Sequence, residues 1–304
     1  MRILLIRHGE SVDNVAGLYA GSRDSPLTNH GVLQIKKLGA YIEKRRDEIG
    51  SIEYIFTSTL QRAYQTAEAI ADALSDTKDP LGSDPSEPRK PPEVTRLPEL
   101  REKDYGSSEG KKYGVKAART AENSVQSDSE THESMGARVD KFLASHLVPI
   151  VDTHTSDNIT VVIVAHGIIL GVLLKALLER FPKLSKAWGK DQDNSPEYTA
   201  WSNTGVLQAK LEVVNDDSTP HTSKEAVVLT SSASSKDDVD SSVPPPRRAM
   251  QLTVEFTNNT EHLEGLKKTR GGIGSAKFDS RQRTMDSFFG SALKKRKLDK
   301  ANGK

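Results

Sequence analysis

Cysteine is absent from all 304 residues. That excludes disulfides, thiolate-ligated zinc and a thiol nucleophile, and it fits a reducing compartment. No apolar run approaches the roughly 18 residues that a membrane-spanning helix needs, so no membrane partner is expected. The amino terminus enters a strand directly, which predicts no signal peptide. Hydrophobic residues make up only 35% of the chain and aromatics 5%, so part of the sequence is expected to lie outside a packed core. Net charge is also nearly missing, at +1, but the balance is uneven. Residues 265–304 hold 12 Lys/Arg against 3 Asp/Glu, a net of +9, which leaves about −8 on the remainder.

What is present begins at residue 3. Ile3-Leu4-Leu5-Ile6 is a short continuous apolar run, the pattern of a strand buried on both faces in an α/β sheet. It ends in Arg7-His8-Gly9-Glu10-Ser11, which puts an arginine and a histidine at the carboxyl end, where open α/β sheets build ligand crevices. Gly9 lets the chain turn sharply and lets a ligand approach the histidine closely. Residues 20–28 read as a polar loop over that crevice. Asn29 is expected to cap a helix over about 30–47, with Leu33, Leu38, Tyr41 and Ile42 towards the sheet. A second strand over 52–56 leads into a helix from about Thr57 to Leu74 with Ala63, Ala67, Ile70 and Leu74 on one stripe. Arg62 falls in its first turn, where a cation opposes the helix dipole unless an anion is bound nearby.

Residues 76–92 read as an exposed loop, 94–97 as a short strand, and 111–129 as a polar, mobile segment. A helix is expected over 133–147, with Met135, Val139, Phe142 and Leu143 inward and a stop near Pro149. Ile159 to Val164 is the strongest strand signal. It closes at Ala165-His166-Gly167, a second histidine-glycine strand end ahead of a helix over 168–180. Strands over 206–213 and 252–256 close the sheet, and the Ser/Asp-rich stretch between them reads as a disordered insertion. The resulting division is a body over 1–214, an insertion over 215–249, a returning strand over 250–264 and a disordered basic tail over 265–304.

Arg7, His8, Arg62 and His166 therefore fall on one rim of the sheet. Two guanidiniums give bidentate recognition of a tetrahedral oxyanion, above all phosphate. A neutral imidazole beside them can attack phosphorus. A carboxylic acid must then protonate the leaving oxygen, and Glu99 and Glu102 both lie in a loop that can supply it. No Asp/Glu/His cluster has metal-ligand spacing, there is no Walker-type glycine loop, and two adjacent arginines would repel a cation. Neither metal nor cofactor is implied.

These segments resemble the histidine phosphatase superfamily, in the branch of cofactor-dependent phosphoglycerate mutases and small phosphomonoesterases. The matching stretches are Arg7-His8-Gly9-Glu10-Ser11 with Asn14, Asp24-Ser25-Pro26-Leu27-Thr28 with Gly31, and Thr57-Ser58-Thr59-Leu60-Gln61-Arg62-Ala63 with Thr66-Ala67. Leu100-Arg101-Glu102 with Gly106 and Glu109-Gly110, and Ala165-His166-Gly167, complete the set. The resemblance implies a three-layer α/β/α sandwich around a mostly parallel sheet, and phosphomonoester hydrolysis. It implies that His8 is the phosphorylated nucleophile, that Arg7, Asn14, Arg62 and His166 hold the phosphoryl group, and that Glu102 rather than Glu99 is the acid. Glu10, Arg23, Thr28 and Ser58 then support the site or its loop. The mutases usually carry Trp before the asparagine, where this chain has Asp13, and Arg-His-Tyr-Gly after the acid, where it has Lys103-Asp104-Tyr105-Gly106. Both departures favour hydrolysis over phosphotransfer and leave the substrate open, a small phosphorylated molecule being expected ahead of a phosphoprotein.

The tail carries a separate signal. Gln282-Arg283-Thr284-Met285-Asp286-Ser287-Phe288-Phe289 resembles the PIP box, the peptide that docks onto the DNA sliding clamp PCNA. One helical turn would join Met285, Phe288 and Phe289 into an apolar plug, with Gln282 reaching a polar pocket. The competing reading is that both phenylalanines pack back onto the body. Lys294-Lys295-Arg296-Lys297 reads as a nuclear localisation signal, a cytoplasmic pool also being compatible. The alternative there is a solvated charge run or non-specific contact with nucleic acid; no specific nucleic-acid binding is expected. Two function classes follow: a hydrolase tethered at the clamp, and a clamp-binding scaffold with a phosphatase-like body.

Overall fold

The computed structural model describes residues 1–75, 92–114, 128–154, 157–182, 200–214 and 249–267. Its frame is a six-stranded sheet: β1 (Arg2–Arg7), β2 (Ser51–Ser58), β3 (Val94–Leu97), β4 (Ile159–Ala165), β5 (Val206–Val213) and β6 (Met250–Asn259). The strand order is β3-β2-β4-β1-β5-β6. The first four are parallel, β1 and β5 are antiparallel, and β5 and β6 close the edge as an antiparallel pair.

The apolar runs read as doubly buried strands because they serve two layers at once. Along β1, Ile3 and Leu5 enter one core and Leu4 and Ile6 the other; β4 splits the same way, with Val161 and Ile163 against Val162 and Val164. Helices α2 (Asn29–Lys44) and α4 (Gln61–Ser75) cover the second of these faces, and α5 (His132–Phe142) and α7 (Gly167–Arg180) the first. The architecture is the three-layer α/β/α sandwich expected from the sequence. No helix among the described residues is long and apolar enough to cross a membrane.

Three local expectations are corrected, and the glycine at position 9 gains a second reason. The cap of α2 is Thr28, whose hydroxyl accepts the Gly31 N–H at 2.9 Å, so Asn29 is already the first helical residue. Leu33 points to solvent at 42% exposed; it lies roughly 140° around the helix from Leu38, outside the buried stripe of His30, Gln34, Ile35, Leu38 and Ile42. Pro149 does not end the helical run. A wide π turn over Leu143–Leu147 precedes it, and a short helix α6 (Val148–Thr153) takes the proline in its first turn, where no intrahelical N–H is required. Gly9 is also needed for packing. A β-carbon there would stand 2.7 Å from Ile35 Cγ2 and 3.1 Å from the Gly31 carbonyl oxygen, so the glycine lets the start of α2 close onto the chain beside His8.

The Asp76–Pro92 loop, except Pro92, lies outside the described residues, as do 115–127 of the polar segment and nearly all of the insertion and tail.

Candidate active site

Parallel neighbours end on the same rim. Arg7 pairs with Ala165 across β1 and β4, so the residues that follow, His8 and His166, emerge side by side. Their ring centroids lie 5.0 Å apart at an interplanar angle of 58°, and both rings are buried. His8 Nδ1 is 2.6 Å from the Gly9 carbonyl oxygen. A carbonyl only accepts, so Nδ1 carries the proton and the Nε2 lone pair is left for chemistry.

Two cations, Arg62 buried and Arg7 half-buried, complete the pocket. Arg62, 1% exposed, donates from Nη1 to the Arg23 carbonyl at 2.7 Å, and from Nη2 to the carbonyls of Ala20 and Gly21 at 2.9 and 3.2 Å. The helix-start cation is thus held by three loop carbonyls. Arg7 Nη1 donates to the Trp201 carbonyl. Its Nε and both ring nitrogens of His166 are buried without a partner among the described residues. Buried polar groups are nearly always satisfied. Unspent donors beside two guanidiniums suit a tetrahedral oxyanion.

Burial, reinforced by Arg62 and Arg7, holds His8 well below the ordinary histidine range, against the opposing bond to Gly9. His166 is held down by burial, then Arg62, His8, Arg7 and Arg101. Both are neutral at neutral pH, and His8 is therefore a lone-pair donor without needing a base. Burial also lowers both arginines, with Glu102 the largest opposing influence on each. A guanidinium stays charged regardless.

The two candidate acids are separated. Glu102 Oε1 accepts from the backbone of Lys103 at 2.9 Å and of Ile169 at 3.2 Å, while Oε2 accepts, among the described residues, only from Ile168, at 3.1 Å. The carboxyl thus sits on the first turn of α7, next to His166, and Oε2 retains a lone pair for a proton. Glu99 instead pairs with Lys141 of α5 at 2.7 Å, which lowers its pKa and holds it ionised.

Asn14 Oδ1 accepts from the Ser11 backbone at 3.2 Å and from Asn203 Nδ2 at 3.1 Å, leaving its own amide N–H groups unspent. Arg23 lies on the rim, half exposed, with Nε 3.1 Å from Asp13 Oδ2. Glu10, Thr28 and Ser58 hold the frame instead. Thr28 Oγ1 donates to Glu10 Oε1 at 2.8 Å, and Ser58 Oγ accepts from Leu60 N at 3.2 Å, at the turn into α4. Gln282, Met285, Phe288, Phe289 and the cluster Lys294, Lys295, Arg296 and Lys297 lie outside the described residues. Among the described residues no group of three His, Cys, Asp or Glu side chains is placed to hold a metal ion.

Three residues of the site were not anticipated from sequence. Asn203 Nδ2 donates to the His8 carbonyl at 3.1 Å as well as to Asn14. Thr204 N–H is shared between the carbonyls of Arg7 and His8, at 3.0 and 3.2 Å, with φ at +56°. His262, in the turn after β6, lies 2.9 Å from Thr204 Oγ1. The only signal was position. Because β5 runs antiparallel to β1, with Ile6 opposite Val206, the polar turn entering β5 must abut the end of β1.

Comparison with known proteins follows the same outline. A probable phosphatase of Schizosaccharomyces pombe is 33% identical over 180 residues, 58% of this chain and 56% of that protein. A 2,3-bisphosphoglycerate-dependent phosphoglycerate mutase of Bartonella henselae is 30% identical over 186 residues, 58% of this chain and 80% of the mutase. The solved structure of a mycobacterial hydrolase superposes with a TM-score of 0.55 at 20% identity, covering 85% of this chain and 98% of that one; at that identity the likeness is one of fold. A sequence model of the family matches residues 3–196, from the start of β1 past the end of α7 and over more than half of the chain. The protein belongs to the histidine phosphatase superfamily, branch 1.

Proposed function

We propose that this protein hydrolyses phosphomonoesters through a phosphohistidine at His8. The observation that carries this reading is the neutral His8, its Nε2 free, set against His166 and the guanidiniums of buried Arg62 and half-buried Arg7, with donors that have no partner among the described residues. In the first step the Nε2 lone pair of His8 attacks phosphorus. The bond to the ester oxygen breaks, and Glu102 delivers its proton to that oxygen so the alcohol leaves neutral. Arg7, Arg62, His166 and the Asn14 amide hold the phosphoryl oxygens as charge redistributes. In the second step water attacks phosphorus, its proton passes to Glu102, and the P–N bond breaks to release phosphate and restore neutral His8.

Hydrolysis is favoured over transfer at the two positions that depart from the mutases. Asp13 is engaged with Arg23, and Asp104 Oδ1 accepts the Gly106 N–H at 2.8 Å, so both serve the loops of the rim. The proposal extends to the tail: Gln282 to Phe289 docks the enzyme on the PCNA clamp, and Lys294 to Lys297 gives a nuclear address. A scaffold with no chemistry would have no physical need of the unspent donors around His8 and His166.

The test is a rapid-quench experiment without added metal. Turnover of a small phosphomonoester is expected to trap an acid-labile phosphoenzyme in the parent protein and none in His8→Ala, with folding verified by thermal melting. An unchanged rate in His8→Ala would refute the mechanism.

A further inference from the structure

The chain contains 7 tyrosines, and three of them meet beside the phosphate pocket. Tyr19 stands between the other two: its ring is 4.7 Å from Tyr105, tilted, and 4.6 Å from Tyr113, edge to face. Each is tied to a different wall of the pocket. Tyr19 immediately precedes Ala20, whose carbonyl holds Arg62. Tyr105 lies three residues beyond Glu102, and its N–H donates to Glu109, which also binds the Gly21 and Ser22 backbone. Tyr113 donates its N–H at 2.9 Å to the carbonyl of Gly17, at the end of the short helix α1 (Val12–Ala16) that carries Asn14. A bridge between Leu18 and Lys112 and the bond from Tyr19 N–H to the Lys111 carbonyl knit the two segments into one ribbon.

Tyr113 is nonetheless 51% exposed. Among the described residues only two other large apolar side chains are exposed, both less so, and one of them, Val15 at 45%, belongs to the same ribbon's helix. Apolar surface gathered at one place on an otherwise polar rim marks a contact site. The rim around it is basic, with exposed Lys111, Lys112 and half-exposed Arg23. Burial raises the Tyr113 phenol while Arg7 and Arg62 draw it down and Glu102 pushes it up, which puts the phenol within the field of the phosphate pocket.

We infer that the alcohol esterified to the phosphate carries a planar aromatic ring, received on Tyr113 against Tyr19 at the mouth of the site. This specificity rests on the hydrolase reading above. Two sources supply such a ring, an aryl alcohol and a nucleoside, and the assay separates them.

The full-length protein is assayed on two matched pairs. Benzyl phosphate and cyclohexylmethyl phosphate share an alkyl leaving group and similar bulk, and differ in aromaticity. Adenosine 5′-monophosphate and ribose 5-phosphate share a leaving oxygen and differ by the base. The aromatic member of at least one pair is expected to have a kcat/KM about two- to tenfold higher, the range of an aromatic contact. That ratio should fall to near one in Tyr113→Ala and persist in Tyr113→Phe; Tyr113 is surface-exposed, so neither variant threatens the fold. Turnover with ratios near one in both pairs, or a preference that survives in Tyr113→Ala, overturns this inference and leaves the hydrolase reading standing. No hydrolysis of any of the four esters overturns both.

Discussion

Lowering the pH should weaken the protein through His262, and the structure gives the size of the effect. Thr204 Oγ1 donates to the Asn203 carbonyl at 2.7 Å, so at the 2.9 Å contact His262 Nε2 must be the donor and Thr204 Oγ1 the acceptor. Nδ1 then holds only a lone pair, buried and without a partner among the described residues. A proton placed there would find no acceptor. Burial and then Lys37 outweigh the pull of Glu261, and the pKa falls from 6.5 to about 4; the Tyr41 ring, at 5.5 Å, packs beside it. The unfolded chain takes up this proton near 6.5 and the native state only near 4. Stability is therefore complete above the unfolded value and declines as pH drops towards the native one. The full shift corresponds to roughly 2 kcal/mol at pH 5, and partial solvent screening reduces it to between about 1 and 2 kcal/mol. The assay is denaturant unfolding of parent and His262→Gln at pH 8 and pH 5. Glutamine keeps an N–H for Thr204 and does not titrate, and His8 and His166 contribute equally to both proteins. The variant should gain on the parent by that margin at the lower pH. An identical difference between the two proteins at both pH values would refute the reasoning.

Two further outcomes are expected. Glu102→Gln should lose roughly 10²–10⁴-fold on alkyl phosphates and much less on aryl phosphates, whose leaving groups need little protonation; equal losses on both would remove Glu102 as the acid, and a larger loss in Glu99→Gln would move the role there. The isolated segment 271–304 should bind PCNA with a dissociation constant on the order of micromolar, the ordering entropy having been spent on binding, and replacing Phe288 and Phe289 with Ala should abolish it. Calorimetry showing no heat at about a hundred micromolar peptide would remove the clamp from the proposal.

The parts of the fold visible in the sequence are those where one residue pattern admits one environment. Continuous apolar runs such as Ile3 to Ile6 and Ile159 to Val164 suit only strands covered on both faces, and their shared direction brings Arg7, His8 and His166 to one rim. What escaped depended on long-range geometry. Whether Thr28 or Asn29 caps α2 is decided by which side-chain oxygen can meet the Gly31 N–H, and the Thr28 hydroxyl does so while also binding Glu10; both residue types are good caps. Leu33 is a different case: its apolar character suggests the sheet face, but helical periodicity already sets it about 140° from Leu38, outside the buried stripe. Pro149 reads as a stop because a π turn over 143–147 leaves no mark in composition. The Asn203–Thr204 turn needed the direction of β5, which a strand pattern alone does not carry.

That turn also explains how the chain accommodates a long connection between β5 and β6 without disturbing the rim. The matched family span ends at residue 196, yet Asn203 and Thr204 beyond it grip the backbone of Arg7 and His8, and His262 holds Thr204. Thr204 adopts a left-handed conformation that costs a β-branched residue on the order of 1–3 kcal/mol, and its N–H, its hydroxyl and His262 together offset that cost. β5 starts at this turn and runs away from the rim, so Val214 meets Ala249 at the far end, where the Val214 N–H donates to the Ala249 carbonyl at 2.8 Å. The connection between β5 and β6 therefore leaves and re-enters the sheet at the end opposite His8, and closing a longer connection costs only slowly more entropy. β6 then returns to the rim and delivers His262 to Thr204. Length can be added at one end of the hairpin without moving the other, because the ladder between β5 and β6 fixes where His262 arrives.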